Sequence, residues 1–273
     1  MTLTTKVLSR EEGTSFRLTV ARAAEATAPV IVVQPAMGMG SRYYEPFAEA
    51  LAAAGMHAVL VEQRGHEAEG GRLPGRRYDF GYADLLDDLE AALGVVREEL
   101  PGAPVHLLGH SLGGQLGVMY AATHPGELAG LVLVASSTPY WRNWGRGLLM
   151  ASYLFPATAA VRGHFPGSRF GFAGREARRL IREWGRLART DRFPVGEDRL
   201  GEVGIPVLSI SVEGDKLGPV GPVDAMVAKL PAARVTREHV SVDGIDHNRW
   251  ARRPEAVVPL LAQWLATGVR ATP

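Results

Sequence analysis

Gly109-His110-Ser111-Leu112-Gly113 decides the fold, and it follows directly on the apolar run Val105-His106-Leu107-Leu108. Glycines two residues before and two residues after a serine are typical of a sharp turn from a strand into a helix, because they leave room for that turn. A serine hydroxyl is a weak nucleophile until a base takes its proton, so it must be held where an imidazole reaches it. Residues 115–123 have helical composition. The stretch therefore predicts a nucleophile elbow at Ser111.

Short apolar runs alternate with helical patterns along most of the chain. The predicted strands are residues 16–20, 30–33, 57–61, 105–108, 131–134, 206–211 and 235–242. The predicted helices are residues 44–54, 82–100, 115–123 and 254–265. Repeated alternation of this kind predicts an α/β fold with a doubly wound, mostly parallel sheet, and the early strand at 16–20 is predicted to be antiparallel.

Residues 138–200 interrupt this alternation. The segment lies between two predicted strands, is much longer than an ordinary connection and carries its own aromatic and helical patterns. An insertion at the carboxyl edge of such a sheet covers the crevice in which ligands bind. We expect an inserted helical lid at 138–200 and a core made of residues 1–137 and 201–273.

Composition excludes several classes of function. The 273 residues carry a net charge of +1, which gives no global reason to expect nucleic acid as a partner, and they include no cysteine. Disulfides, a cysteine nucleophile and thiolate metal sites are therefore excluded. The N-terminus from Met1 to Lys6 lacks the apolar core of a secretory signal, and no apolar run reaches the ~18 residues of a membrane span. We expect an intracellular, cytoplasmic protein without a membrane span.

The order of these features resembles the α/β-hydrolase superfamily. Strand, elbow and helix are followed by an inserted segment, a late aspartate and a later histidine, and the likeness runs from about residue 30 to residue 265. Pro35-Ala36-Met37-Gly38, Arg42-Tyr43-Tyr44 and Arg64-Gly65-His66 are similar to the monoglyceride-lipase and serine-aminopeptidase-like branch. The resemblance implies a serine hydrolase acting on ester bonds, like a carboxylesterase, lipase or thioesterase.

The family places its catalytic side chains in the order serine, acid, histidine. With Ser111 first, Asp215 follows the strand after the insertion, where Glu213 is an alternative acid. His247 lies between the last strand and the last helix, as the base of the family does. Asp243 and Asp246 remain possible orienting groups, although a residue adjacent to a histidine rarely points its carboxylate at that ring.

The resemblance also implies an oxyanion hole built from two backbone N–H groups. The first belongs to Leu112. The second comes from the loop after the strand at 30–33, where Met37 is the candidate and Ala36 the alternative. This loop departs from the family, because Gln34-Pro35-Ala36 stands where a His-Gly pair is usual and proline has no N–H to donate.

Substrate contacts are expected in the inserted segment. Its first half is apolar and aromatic, and Trp141, Trp144 and Phe155 are the candidate binding residues. Its second half carries arginines at helical spacing, which form either a solvated face or a surface that attracts an anionic substrate or an acidic carrier protein. These are Arg175, Arg178, Arg179, Arg182, Arg186, Arg189 and Arg192.

The favoured function is cleavage of a carboxylic ester or thioester of small or medium size through an acyl-enzyme. The alternatives are an acyltransferase that uses the same serine and a non-catalytic binding protein on a hydrolase scaffold. The chain carries no sequence pattern of a metal or nucleotide site, so no cofactor is expected. The expected partner is a small-molecule substrate.

Overall fold

A computed structural model describes residues 3–171 and 173–268. Met1 and Thr2, part of the N-terminus predicted to carry no signal, lie outside the described residues, as do residues 269–273 of the predicted core and Phe172 of the inserted segment. Among the described residues, no helix is long and apolar enough to cross a bilayer.

The main sheet contains eight strands within the described ranges, in the order β1-β2-β4-β3-β5-β6-β9-β10. Their bounds are β1 Thr4–Ser9, β2 Ser15–Ala21, β3 Val30–Gln34, β4 His57–Val61, β5 Val105–His110, β6 Gly130–Val134, β9 Pro206–Val212 and β10 Arg234–Val240. β1 pairs with β2 and β2 with β4 in antiparallel fashion, whereas all further neighbours are parallel. The predicted doubly wound, mostly parallel α/β fold is confirmed.

Strand order reverses beside β3. The chain passes from β3 outward to β4 and then returns to β5 on the other side of β3. In open α/β sheets, ligands bind at the carboxyl ends of strands that flank such a reversal. The loops after β3 and β5 therefore meet at the expected position of a site.

Alternate residues of the central strands pack into two separate hydrophobic cores, one on each face of the sheet. Val30 and Val32 pack on one face of the sheet, and Ile31 and Val33 pack on the other. Both faces are covered, which explains why β3 reads as a continuous apolar run. The helices that cover them and extend over the inserted segment are α1 Glu45–Ala53, α2 Tyr82–Glu99, α3 Leu112–Thr123, α4 Trp141–Trp144, α5 Arg146–Arg162, α6 Arg178–Thr190, α7 Val220–Val227 and α8 Val258–Gly268.

Between β6 and β9 the chain forms α4, α5 and α6 together with the short strands β7 (His164–Pro166) and β8 (Arg175–Ala177), which pair with each other. The segment is thus not wholly helical. Leu180, Ile181 and Leu187 of α6 are fully buried in the same core as α2 and α3. The inserted segment is packed onto the sheet side that carries the elbow helix.

Candidate active site

Ser111 stands between β5 and α3 in a strained backbone conformation, with φ at 52° and ψ at −111°. Such a value is rare for a residue with a side chain and is kept only where the surroundings impose it. A Cβ on Gly109 would clash with the backbone of Gly114, and one on Gly113 would clash with the carbonyl of Gln34. The glycines of the motif are therefore required by close approach of the backbone.

Two hydrogen bonds hold the elbow in place. The N–H of Ser111 donates to the carbonyl of Val134 at 3.1 Å, and the Oγ of Ser136 donates to the carbonyl of Ser111 at 2.6 Å. Both partners lie at the end of β6 or directly after it, so the neighbouring strand fixes the turn. The serine side chain is left at the carboxyl edge of the sheet.

Asp215 and His247 meet across the loops that follow β9 and β10. Asp215 Oδ2 lies 2.7 Å from His247 Nδ1, and the Asp215 side chain has no exposed surface. Its other oxygen, Oδ1, accepts the N–H groups of Leu217 at 2.7 Å and Gly218 at 2.9 Å. A carboxylate fixed in this way selects the imidazole tautomer with the proton on Nδ1, which leaves Nε2 as a proton acceptor.

Two of the alternative acids, Glu213 and Asp246, bind other groups. Glu213 Oε2 lies 2.7 Å from Nε2 of His239, whose Nδ1 lies 2.7 Å from the hydroxyl of Ser211. The carboxylate of Asp246 accepts the N–H groups of Asn248 and Arg249. Among the candidate carboxylates, Asp215 is therefore the one that the structure brings to His247.

The N–H group of Ala36 already has a hydrogen-bond acceptor, which distinguishes it from the two N–H groups expected to form an oxyanion hole. Ala36 donates its N–H to the hydroxyl of Tyr44 at 3.1 Å. The N–H groups of Met37 and Leu112 meet no acceptor within the described residues, and both residues line a cavity together with Ser111. This favours Met37 over Ala36 as the second donor.

Two cavities meet at Ser111. The first encloses about 250 Å³ and is mostly apolar. The second encloses about 260 Å³ and includes His247 and Asn248. Both are lined by Met37, Ser111 and Leu217. A substrate whose reacting carbon lies at Ser111 would thus extend into a cavity on either side.

Of the predicted binding residues, Trp144 and Phe155 line the apolar cavity, whereas Trp141 is not part of its lining. Sequence reasoning did not select Gln115, Trp184 or Leu217, which also line it. Gln115 follows Ser111 by one helical turn, and that spacing was a usable signal. Trp184 and Leu217 reach the cavity only through the tertiary fold.

His110, the variable residue of the motif, is completely buried beside His247, with the two ring centroids 4.9 Å apart. Its Nδ1 lies 2.7 Å from the hydroxyl of Tyr44. Burial, and then the charge of a protonated His247, lower the pKa of His110 well below its usual value. His110 is therefore neutral at physiological pH and adds no charge next to His247.

Several arginines of the inserted segment fasten it to the rest of the molecule. Arg175 donates to the carbonyl of Pro74 at 2.7 Å, and Arg178 donates to Asp79 at 3.2 Å. Arg179 forms an ion pair with Asp84. Attraction of an acidic carrier protein by the remaining exposed arginines stays a prediction. No group of three or more histidine, aspartate and glutamate side chains within the described ranges is arranged to hold a metal ion.

Comparison with solved structures identifies the fold. DcsB, solved in complex with its substrate analogue, superposes with a TM-score of 0.71 over 99% of this chain and 100% of that one, at 15% identity. Likeness at that level of identity concerns the backbone alone.

Comparison of sequences is more specific. The chain is 32% identical to human monoglyceride lipase over 107 residues, which cover 39% of this chain and 34% of the relative. It is 31% identical to monoacylglycerol lipase of Mycolicibacterium smegmatis over 90 residues, which cover 33% of this chain and 31% of the relative. The chain thus aligns with about a third of the length of these relatives.

A family model, described as serine aminopeptidase S33, matches residues 25–177, which is more than half of the chain. This range contains β3, the elbow at Ser111, and the inserted segment as far as β8. Together with the eight-stranded sheet and the elbow geometry, the match shows that the chain belongs to the serine aminopeptidase S33 family of the α/β-hydrolase superfamily.

Proposed function

We propose that the chain is a serine hydrolase that cleaves carboxylic esters or thioesters through an acyl-enzyme. Ser111 is the nucleophile, His247 the general base and Asp215 the group that orients it. The observation that carries the proposal is the 2.7 Å bond from Asp215 to Nδ1 of His247, beside a cavity shared by His247 and Ser111. The monoglyceride and monoacylglycerol lipases among the relatives support an ester as the substrate.

The reaction begins when His247 Nε2 takes the hydroxyl proton of Ser111 as Oγ attacks the carbonyl carbon. The negative oxygen then forms hydrogen bonds to the N–H groups of Leu112 and Met37. Removing one such donor in other enzymes costs about 3 to 4 kcal/mol of transition-state stabilisation. The tetrahedral intermediate collapses when His247 gives its proton to the departing alcohol or thiol. Water then attacks the acyl-enzyme with His247 again as base, and the acid is released.

Each of the two cavities holds a different part of the substrate in this proposal. We assign the acyl chain to the apolar cavity, where Leu148, Phe155 and Trp184 supply a carbon surface. The leaving group occupies the second cavity, because His247 lines that one and must reach the departing oxygen or sulfur. At about 250 Å³ the apolar cavity suits a small or medium acyl group. Residues 138–200 act as a lid in this proposal, since Leu148 and Phe155 lie on α5 and Trp184 lies on α6.

The decisive experiment labels the protein with a serine-directed fluorophosphonate and locates the adduct by mass spectrometry. We expect a single adduct on Ser111 and turnover of p-nitrophenyl esters, both abolished in Ser111→Ala. Ser209→Ala is the matched control, because Ser209 is a buried serine of β9 that lines neither cavity. Labelling that persists in Ser111→Ala would refute the proposed nucleophile. An unreactive wild-type protein would refute the hydrolase and leave a binding protein as the better description.

A further inference from the structure

One polar side chain stands in the wall of the apolar cavity. Gln115, on α3, is only 6% exposed and lines that cavity together with Leu112 and Phe155. Burying a primary amide costs free energy unless its hydrogen-bonding groups find partners. The partners that Gln115 has, and those it lacks, therefore indicate what the cavity accepts.

The orientation of the amide is determined by its two hydrogen bonds. Nε2 donates to the carbonyl of Ser137 at 2.9 Å, and Oε1 accepts the hydroxyl of Tyr82 at 2.8 Å. A backbone carbonyl accepts but never donates, so the nitrogen must face Ser137 and the oxygen must face Tyr82. Tyr82 is completely buried and Ser137 nearly so, which holds the amide plane against the cavity wall.

Half of the hydrogen-bonding capacity of this amide is unused. A glutamine side chain has two N–H donors and two acceptor lone pairs on its oxygen. Within the described residues, the contacts to Ser137 and Tyr82 use one of each. The hydroxyl of Ser137, which also lines the cavity, has no hydrogen bond within the same residues. An oxygen atom of a ligand in this cavity would meet a free N–H and a free acceptor.

The spacing along α3 locates that oxygen on the substrate. The N–H of Gln115 donates to the carbonyl of Ser111 at 3.3 Å, so the two residues lie one helical turn apart, about 5 Å along the axis of α3. An acyl chain that leaves the Ser111 oxygen and enters the cavity therefore passes the amide about three carbons from its start. We propose that Gln115 selects acyl groups that carry a hydroxyl on the third carbon. The hydroxyl accepts from the free N–H and donates to the free lone pair.

This inference rests on the proposed acylation of Ser111, and its test uses three esters that differ only at the third carbon. These are p-nitrophenyl butanoate and the two enantiomers of p-nitrophenyl 3-hydroxybutanoate, each corrected for its own rate of hydrolysis in buffer. We expect the kcat/KM of wild type to be about tenfold higher for one 3-hydroxy enantiomer than for the butanoate, which is the scale of one or two neutral hydrogen bonds. In Gln115→Met the ratio should fall to about one.

Gln115→Met leaves the buried hydroxyl of Tyr82 without its acceptor, so the double variant Tyr82→Phe/Gln115→Met is measured as well. The ratio of kcat/KM for the preferred 3-hydroxy enantiomer to that for the butanoate is measured within one preparation, so it is independent of the fraction of protein that is folded. Gln63→Met is the matched control, because Gln63 is equally buried but does not line the cavity. Its ratio should equal that of wild type.

The outcomes separate the two proposals. A wild-type ratio near one with normal turnover of the butanoate, or a ratio unchanged in both Gln115 variants, overturns the role of Gln115 and leaves the hydrolase standing. Absence of turnover for all three esters, together with absence of fluorophosphonate labelling, overturns the hydrolase and this inference together. A tenfold preference that disappears in both Gln115 variants and persists in Gln63→Met establishes the selection.

Discussion

Asp215 uses both carboxylate oxygens, one for the backbone N–H groups of Leu217 and Gly218 and one for the ring of His247. The two backbone N–H groups fix the position of Oδ1, so Oδ2 points in a fixed direction towards the ring of His247. An amide in this position can present its NH₂ group to Nδ1, which selects the opposite imidazole tautomer. The base nitrogen would then carry a proton and could not accept one from Ser111.

We therefore expect Asp215→Asn to lower kcat by a factor on the order of 10⁴ with little change in thermal stability, following the loss seen when the aspartate of a serine-protease triad is replaced in the same way. Initial rates on p-nitrophenyl butanoate and a melting curve test this. Glu213→Gln serves as the control, since its carboxylate contacts His239. An active Asp215→Asn beside an inactive Glu213→Gln would show that the acid was assigned wrongly.

Functional residues could be predicted where a local pattern marks them, and not where their role depends on a residue distant in sequence. Ser111, Asp215 and His247 were predicted as candidates because the resemblance implies their order and each follows a predicted strand. The spacing from Ser111 could have selected Gln115, but the orientation of its amide depends on the hydroxyl of Tyr82, which lies 33 residues away in sequence. Local patterns carry no information on such a pairing.

At the scale of elements, α5 continues from Arg146 to Arg162 although it contains Pro156. Proline has no N–H, so the carbonyl of Ser152, four residues earlier, loses its partner within the helix. The guanidinium of Arg189, on α6, donates to that carbonyl instead. The neighbouring helix thus satisfies the backbone group that the proline leaves free.

Because Arg189 replaces the N–H that Pro156 lacks, substitutions at these two residues should have non-additive effects on the free energy of unfolding. Arg189→Ala should lower the free energy of unfolding by about 1 kcal/mol, because it leaves the Ser152 carbonyl unsatisfied. In a Pro156→Ala background the helix recovers its own N–H donor, and the same substitution should cost clearly less. Urea denaturation of the four proteins in this cycle measures the coupling. Equal costs in both backgrounds would mean that Arg189 does not compensate for the proline.

Other elements were missed for identifiable physical reasons. β1 at Thr4–Ser9 lies at the edge of the sheet with mostly exposed side chains, so it lacks the apolar alternation that reveals a strand. α7 at Val220–Val227 contains a glycine and a proline in its first turn, which read as a loop. β7 and β8 have three residues each and exist only because they pair with each other.

At the scale of the whole molecule, an ion pair with a buried carboxylate connects the inserted segment to the core. His66, in the loop after β4, lies 3.1 Å from Glu176 of β8, and the Glu176 side chain has no exposed surface. Glu176 also accepts the N–H of Gly174, and a Cβ on Gly38, in the loop after β3, would clash with Gly174. The pair therefore sets how closely the inserted segment sits on the loop that contains Met37.

Burial opposes a charge on His66, but the hydrogen bond and charge of Glu176 prevail and raise the pKa of His66 above its usual value of 6.5. A histidine whose pKa is raised in the folded state stabilises fully below pH 6.5 and loses this contribution as the pH rises through the folded-state pKa. The free energy of unfolding of wild type should thus fall relative to that of His66→Gln as the pH is raised above 6.5. Urea denaturation across this range checks it. A difference that stays constant with pH would exclude a charged His66.

The division of the space around Ser111 into two cavities has a kinetic consequence. On the proposed mechanism, the first product vacates the cavity that contains His247 while the acyl chain still fills the apolar one. Whatever small molecule refills the vacated space reacts next: water yields the free acid, and an alcohol yields a new ester. The balance between hydrolysis and transesterification then becomes a competition for one compartment, governed by the concentration and affinity of the incoming nucleophile and not by a change in the catalytic groups.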